Sequence, residues 1–294
     1  MIERFLSYLR YERNRSELTV QRYEKSLLAF QAYFQKQDGD ITWATVDADL
    51  VRGWMETLMD DGYKATSVNA DLSALRSFYK FALTRKLVDC DPVHSVQGPK
   101  KQKPLPQFVK EKEMDELLDV EQWGDDYINV RARTIILLLY ETGLRRSELV
   151  GLDDKDVDFE SHLLKVTGKR NKQRLVPFGE ELKDALQSYI EVRNDTMVRN
   201  TSALFLNGRG ERITAMEVYR VVREQLKRVT SMKKRSPHVL RHSFATALLN
   251  HHAGLESVRQ LLGHESVATT EIYTHTTFDQ LRRVYKDAHP RGGE

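Results

Sequence analysis

Apolar residues recur every three to four positions over residues 1 to about 96, which is the spacing of amphipathic helices. The pattern predicts one helix over residues 2–13 and three more, which begin at Thr19, Asp47 and Thr66. In the helix from Thr19, the expected buried positions are Tyr23, Leu27, Phe30 and Phe34. In the helix from Asp47, which Gly62 ends, they are Leu50, Trp54, Leu58 and Met59. In the helix from Thr66, they are Val68, Leu72, Leu75, Tyr79, Ala82 and Leu83.

The fourth predicted helix also carries a polar stripe. Asn69, Ser73, Arg76 and Lys80 repeat at intervals of four, three and four residues, so they share one face. The spacing alone favours an ordinary solvated surface.

A change of composition separates this region from the rest of the chain. The segment QGPKKQKPLP, residues 97–106, contains three prolines and a glycine, which exclude a continuous helix. Lys100, Lys101 and Lys103 make it basic, so it would be attracted to a phosphate backbone. We expect a first domain over residues 1–96, a linker over 97–106 and a second domain over 107–294.

The second domain mixes helical and strand periods. Helices are predicted near residues 111–118 and 126–141, and the second of these is apolar on nearly every face, as expected for a buried centre. The spacing of apolar residues then changes to the alternation typical of β-strands. Three short strands are predicted, VDF, LLKVT and RLVPF, with a tight turn at Gly168–Lys172 between the last two. Further helices are expected at about 180–194 and 214–228.

The carboxyl-terminal region repeats helix start and stop signals. Ser236 and Pro237 are typical of the cap and first position of a helix, and a helix over about Leu255–Leu262 is stopped by Gly263. A short helix carrying Tyr273 follows. A last amphipathic helix is indicated by Phe278, Leu281, Val284, Tyr285 and Ala288.

Composition sets broad limits on function. The 294 residues include 46 Lys and Arg against 43 Asp and Glu, a formal net charge of +3, which permits a nucleic-acid partner without requiring one. The single cysteine, Cys90, rules out an internal disulfide and suits a reducing compartment. No apolar stretch approaches the length of a membrane span, so we expect a cytoplasmic protein without membrane contact.

His238 and Arg241 stand three residues apart at the start of a predicted helix, where free backbone amides would help to bind a phosphate. Each candidate also has an ordinary interpretation. A lone histidine is commonly structural, and Arg145 with Glu148 could be a surface ion pair worth under about 1 kcal/mol. Tyr273 could be half-buried core, and a lysine such as Lys169 is normally solvated at a turn.

The combination of motifs resembles a known signature. HVLRHSFAT, then LLGH, then Tyr273 nine residues beyond that histidine, with TGLR at 142–145 and GK at 168–169, closely resemble the tyrosine recombinases of the phage integrase family. GKRNKQRLVPFG, SPHVLRHSFATALLNH, IYTH and HPR resemble the Xer type. Arg170 and Gln173 stand where Gly and Glu are common in that family, at positions expected to face solvent.

The resemblance implies roles in DNA strand cleavage. Arg145 and Arg241 would grip the scissile phosphate, and Glu148 would brace Arg145. His238 and His264 would donate hydrogen bonds to the phosphate, and His238 could also take the proton of the attacking phenol.

Tyr273 would be the nucleophile, and Lys169 would protonate the departing 5′ oxygen. The product would be a 3′-phosphotyrosine, whose bond energy makes ATP unnecessary. No metal or cofactor is expected.

The resemblance also implies a fold and partners. The chain would be mainly α, with a four-helix core-binding bundle and an α+β catalytic domain that contains a small three-stranded antiparallel sheet. The stripe and linker would contact a double-stranded DNA recombination site at Asn69, Ser73, Arg76, Lys80, Lys100, Lys101 and Lys103. A homo- or hetero-tetramer joined through the last helix is implied, with a sister recombinase and a DNA translocase as further candidate partners.

Several alternatives stay open at this point. A type IB topoisomerase would use much the same residues, and relatives of similar length integrate mobile elements or invert DNA rather than resolve chromosome dimers. A zinc hydrolase would use His238 and His242, although the glutamate of an HExxH motif is missing. A DNA-binding module without catalysis is disfavoured by Tyr273.

Overall fold

A computed structural model describes residues 1–37, 39–101, 107–168, 171–263 and 275–292, with only the backbone for 275–281. The chain divides into two compact units, Met1–Pro104 and Leu105–Glu294. Each unit has its own hydrophobic core. Within the described residues, no helix combines the length and the apolar character needed to cross a bilayer.

The first unit contains the four predicted helices. They are α1 (Ile2–Ser7), which continues as a π-helical turn over Tyr8–Glu12, α2 (Glu17–Gln37), α3 (Ala48–Asp60) and α4 (Ala65–Thr84). Asp47 caps α3, because its carboxylate accepts a hydrogen bond from the Leu50 amide at 2.8 Å.

Two details of the predicted bundle core are wrong. Met59 and Leu83 are 40% and 43% exposed, and the buried face of α3 consists of Val51, Trp54 and Met55. Both α3 and α4 carry apolar residues on more than one face, and only packing against their neighbours selects the face that is buried. The other expected buried positions are buried or half-buried.

The second unit is built around α6. Its elements are α5 (Glu111–Leu118), α6 (Tyr127–Thr142), α7 (Arg146–Val150), α8 (Glu180–Thr196), α9 (Ala215–Val229), α10 (Pro237–Asn250), α11 (Leu255–Leu262) and α12 (His275–Ala288). The run Ile135–Leu139 is completely buried, as the apolar faces of α6 predict. This unit is the larger and carries the predicted site.

A small antiparallel sheet interrupts the helices. Its strands are β1 (Val157–Asp158), β2 (Leu163–Thr167) and β3 (Gln173–Pro177), in the order β1-β2-β3. In the second hairpin Val166 pairs with Arg174, and the Gly168 amide donates to the Lys172 carbonyl at 2.8 Å to close the turn. The mainly α class with one three-stranded sheet is therefore confirmed.

The end of α12 packs against the core of its own unit. Tyr285, Ala288 and His289 are buried, and the Tyr285 hydroxyl donates to Glu141 Oε2 at 3.0 Å. The Glu141 carboxyl also accepts from the Gly179 amide at 3.1 Å. Tyr285, Ala288 and His289 thus form part of the folded core of the chain that carries them.

Candidate active site

Arg145 follows a glycine turn at the end of α6. Gly143 has a φ of +59°, a left-handed conformation that favours glycine, and a Cβ there would collide with Phe244. The turn places Arg145 at the cap of α7, where its amide donates to Glu148 Oε2 and its Nη1 to Oε1, both at 2.8 Å. Glu148 is buried while the Arg145 side chain is 40% exposed, so the acid braces a guanidinium that solvent can reach.

Arg241 lies beside the same turn. It is buried on α10 and donates from Nη1 to the Gly143 carbonyl and from Nη2 to the Leu262 carbonyl, both at 2.6 Å. Burial, followed by the charge of Arg145, lowers the pKa of Arg241 to about 10. The guanidinium therefore remains protonated at neutral pH.

A third arginine, Arg174 on β3, joins these two. Its Nη1 and Nη2 donate to Glu148 Oε1 and Oε2 at 2.9 Å each. The side chains of Arg145, Arg174, Arg241 and Glu148 together carry a net charge of +2. Such a cluster can neutralise the charge that develops on the nonbridging oxygens of a phosphodiester during attack.

The last three carbonyls before His264 all accept from this cluster. The Leu261 carbonyl accepts from Arg174 Nε at 3.2 Å, that of Leu262 from Arg241, and that of Gly263 from Arg145 Nη2 at 3.1 Å. These are the unpaired carbonyls at the negative end of α11, so cations are favoured there.

Glu148 is held in the ionised form. Burial alone would raise its pKa, but the hydrogen bond and charge of Arg174 and the bonds from Arg145 outweigh burial and lower the pKa to about 2. The carboxylate therefore stays charged throughout the physiological range.

His238 is exposed in the first turn of α10, close to the arginine cluster. Its ring lies edge-on to that of His242, with 4.4 Å between centroids. Partial burial of the ring, followed by the charges of His242, Lys234 and Arg241, lowers its pKa below the usual 6.5. A neutral imidazole at pH 7 can accept a proton.

Three of the six predicted catalytic residues, Lys169, His264 and Tyr273, lie outside the described residues, as does Lys103 of the linker. The structure brings together the other three, Arg145, Arg241 and His238, with Glu148. Ser236 occupies the predicted cap position of α10, although its side chain makes no cap hydrogen bond.

The polar stripe of α4 divides into two kinds of residue. Asn69 Nδ2 donates to the Pro99 carbonyl at 2.9 Å, and Arg76 Nη2 to the Val96 carbonyl at 2.7 Å. These two side chains hold the segment that leaves the bundle. Ser73 and Lys80 are exposed, as are Lys100 and Lys101.

The histidine pair of the zinc alternative gains no third ligand within the described ranges. No group of three or more His, Cys, Asp or Glu residues in those ranges is placed to hold a metal ion. The contact of His238 with His242 is a ring contact between side chains one helical turn apart.

Sequence reasoning missed two residues of this region. Arg174 was treated as part of a strand, and Glu141 as part of an apolar helix. The signal for Glu141 was the one acid within RTIILLLYETG, because a charge on a fully buried helix needs a partner.

Comparison with known proteins gives a consistent assignment. The pattern described as "Phage integrase family" matches residues 107–280, and "Phage integrase, N-terminal SAM-like domain" matches residues 2–86. The chain is 38% identical to tyrosine recombinase XerC of Pelotomaculum thermopropionicum, over 99% of this chain and 98% of that protein. It is 33% identical to tyrosine recombinase XerD of Oceanobacillus iheyensis, over 99% of this chain and 98% of that protein.

Solved structures share the fold. The crystal structure of XerA recombinase covers 99% of this chain and 98% of its own. Its sequence is 29% identical to this chain, and the TM-score is 0.51. A second structure shows XerH recombinase bound to a palindromic difH substrate in a post-cleavage complex. Its TM-score is 0.73 and its sequence identity 22%, over 96% of this chain and 83% of that one. The matched family domains and the full-length similarity to XerC and XerD proteins establish that the chain is a tyrosine recombinase of the phage integrase family.

Proposed function

We propose that this chain acts as an Xer-type site-specific recombinase, which cleaves and rejoins DNA through a 3′-phosphotyrosine intermediate and a Holliday junction. The observation that carries the proposal is the cluster of Arg145, Arg174 and Arg241 around Glu148, with His238 exposed beside it. Full-length similarity to proteins named XerC and XerD supports chromosome dimer resolution, and hence chromosome partition at cell division in the cytoplasm, as its use.

The cleavage step follows from the chemistry of the cluster. The Tyr273 phenol oxygen attacks the scissile phosphorus, and the neutral His238 imidazole accepts the phenol proton. Arg145 and Arg241, with a hydrogen bond from His264, stabilise the charge on the nonbridging oxygens as the new bond forms. The bond from phosphorus to the 5′ oxygen then breaks, and Lys169 gives that oxygen its proton.

Rejoining is the reverse reaction with a different strand. A 5′ hydroxyl from a second duplex attacks the phosphotyrosine, so the ester supplies the energy and two successive exchanges pass through a four-way junction. Two sites must therefore be held together. We propose a tetramer, formed by this chain alone or with a sister recombinase, and a DNA translocase as the trigger.

DNA binding outside the site would use exposed polar and basic residues. Ser73 and Lys80 on α4 and Lys100 and Lys101 after it are open to solvent, and Lys103 adds charge to the same basic segment. Lysines of this kind contact phosphates without reading sequence and make affinity depend on salt. Asn69 and Arg76 would reach DNA only through donors beyond those that bind the Pro99 and Val96 carbonyls.

The deciding experiment maps the DNA to which the protein becomes joined. Genomic DNA of the source organism is incubated with the wild-type protein or with Tyr273→Phe, protein-linked fragments are recovered under denaturing conditions, and the junctions are sequenced. We expect one recurrent chromosomal site for the wild type and no linked DNA for Tyr273→Phe, which should still bind that site in a gel-shift assay.

Each other outcome has a definite meaning. Linked DNA with Tyr273→Phe would refute the nucleophile. Recurrent sites at the ends of a mobile element would replace the chromosomal role with integration, and scattered sites without exchange products would favour strand relaxation.

A further inference from the structure

Arg174 makes contacts that its place on a short strand does not require. Its side chain is only 9% exposed. Nη1 and Nη2 donate to the two oxygens of Glu148, and Nε donates to the Leu261 carbonyl. Because all three guanidinium nitrogens are engaged inside the protein, Arg174 is placed to hold other groups rather than to bind a phosphate.

The first of these groups is the Glu148 carboxylate. Oε1 accepts from the Arg145 and Arg174 guanidinium groups, and Oε2 accepts from the Arg145 amide and from Arg174. A carboxylate has about four acceptor sites, so all of them are filled. Without Arg174, a carboxylate that is 2% exposed would lose two of its four hydrogen bonds, and its hold on Arg145 would weaken.

The second group is the end of α11. The stem of Arg174 lies so close to Gly263 that a Cβ at that position would stand 3.2 Å from Cδ and Nε. The same turn accepts hydrogen bonds from Arg241 and Arg145 through the carbonyls of Leu262 and Gly263. Arg174 therefore helps to position the backbone on which both phosphate-binding arginines rest.

Arg174 also connects this cluster to the β2–β3 hairpin. It stands two residues beyond Lys172, which closes the turn with Gly168. Its backbone is fixed by the pairing of β3 with β2. The guanidinium is thus a rigid link from the hairpin that carries Lys169 to the α7 cap and the α11 end.

We propose that Arg174 is a positioning residue for strand cleavage, holding Glu148 and the end of α11 so that the Arg145 guanidinium meets the scissile phosphate. The proposal rests on the cleavage chemistry given above. It predicts that the Arg174 contribution is expressed through Glu148, and that it matters most while charge develops on the phosphate.

The test compares Arg174→Lys with a matched control, Arg133→Lys. Lysine keeps the charge but cannot bind a carboxylate and a carbonyl in the same fork geometry. Arg133 makes the same kind of contacts in the same unit, because Nη2 donates to Glu181 at 2.7 Å and Nε to the Leu118 carbonyl at 3.1 Å. The control therefore reports the loss of an equivalent arginine link outside the cluster.

The assay is single-turnover adduct formation on a nicked duplex that carries the mapped site. For Arg174→Lys we expect a rate roughly 100-fold below wild type, the size of effect that a misplacement of about 1 Å can produce. Site affinity in a gel-shift assay should stay within about threefold, since the lost interaction acts in the transition state. Arg133→Lys should cleave at the wild-type rate.

A second substrate separates positioning from general structural damage. In a duplex with a methylphosphonate at the scissile position, a methyl group replaces one nonbridging oxygen and the linkage is neutral, so a misplaced guanidinium matters less. The Arg174→Lys defect should shrink at least about tenfold on this substrate. A defect of the same size on both substrates would overturn the proposal.

Coupling to Glu148 provides the last criterion. Glu148→Gln alone should show the same reduced defect on the methylphosphonate. The defect of the double variant should be clearly smaller than the product of the two single defects, since both residues act through one carboxylate while Arg174 also holds the Leu261 carbonyl. Additive defects would overturn the proposal. If Arg174→Lys fails to fold, the cleavage rates of Glu148→Gln on the two substrates test the proposal. An equal defect of Glu148→Gln on both substrates rejects it.

The two levels of inference fail differently. No adduct from the wild-type protein would refute the cleavage chemistry and this proposal with it. Normal adduct formation by wild type and by Arg174→Lys alike would reject the role of Arg174 alone.

Discussion

Glu141 offers a sharp test of the structure, because a fully buried carboxyl group should link folding to pH. Burial raises its pKa to about 8, although hydrogen bonds from the Gly179 amide and the Tyr285 hydroxyl act in the opposite direction. Glu181 nearby raises the pKa further and Arg291 lowers it. Among the described residues, Oε1 has no hydrogen-bond partner, which makes the ionised form costly.

The direction in which stability changes with pH follows from whether the folded or the unfolded state holds the proton of Glu141. Between the ordinary pKa of 4.5 and the folded value of about 8, the folded protein keeps the proton of Glu141 and the unfolded chain releases it. Stability from this group is therefore full below pH 4.5 and is lost as pH rises through 8. At about 1.36 kcal/mol per pH unit, the loss between pH 5 and pH 7.5 is about 3 kcal/mol.

The perturbation is Glu141→Gln, which keeps an oxygen for the Gly179 and Tyr285 donors but cannot ionise. Amide hydrogen exchange of α6 peptides, followed by mass spectrometry, reports the opening of the second unit separately from the first. Comparing variant and wild type at each pH removes the intrinsic pH dependence of exchange. We expect the protection of wild type relative to the variant to fall roughly 100-fold from pH 5 to pH 7.5, the factor that corresponds to about 3 kcal/mol.

A control and a refuting result are both available. Glu116→Gln changes an exposed acid of α5 and should give a constant ratio across this range. His289, whose pKa burial lowers to about 3, titrates equally in wild type and variant and so drops out of the comparison. A constant ratio for Glu141→Gln would show that the folded state does not protonate this carboxyl.

Three further predictions concern the site. Gly143→Ala forces a Cβ into Phe244 at a φ of +59° and should destabilise the protein by about 3 kcal/mol; a loss below about 1 kcal/mol in thermal unfolding contradicts this account of the turn. Lys169→Ala should cleave poorly on normal DNA but recover when the bridging 5′ oxygen is sulfur, a better leaving group; equal defects on both substrates reject the acid role. Burial is the largest cause of the lowered pKa of His238, and the charge of Lys234 adds to it, so Lys234→Met should move the acid limb of the cleavage rate to higher pH; an unchanged profile argues against His238 as the base.

The parts of the fold that were predicted correctly depend on local signals. Gly143 and Gly263 have left-handed φ values of +59° and +62°, and Gly263 ends α11 where the sequence indicated. The strands were recognisable from their period and from the Gly168 turn. The catalytic roles of Lys169, His264 and Tyr273 stay predictions from the sequence and the family resemblance.

The parts that were missed depend on tertiary contacts. Arg174 meets Glu148 across 26 positions of sequence, and Tyr285 meets Glu141 across 144. A pattern read along the chain carries no information about such pairs. The exposed Leu83 and Met59 were misassigned for the same reason, since an apolar side chain on a second face is buried only if a neighbouring element covers it.

The buried position of Tyr285 and His289 affects how assembly can be studied. Shortening the chain before α12 would remove both residues from the core and would leave Glu141 without its hydroxyl donor. Large-to-small changes at such positions cost several kcal/mol, so a truncated protein would be damaged in its fold as well as in any subunit contact. Point changes at exposed positions of the last helix, such as Arg283 and Asp287, would separate partner exchange from folding, and affinity tags are better placed at the amino end.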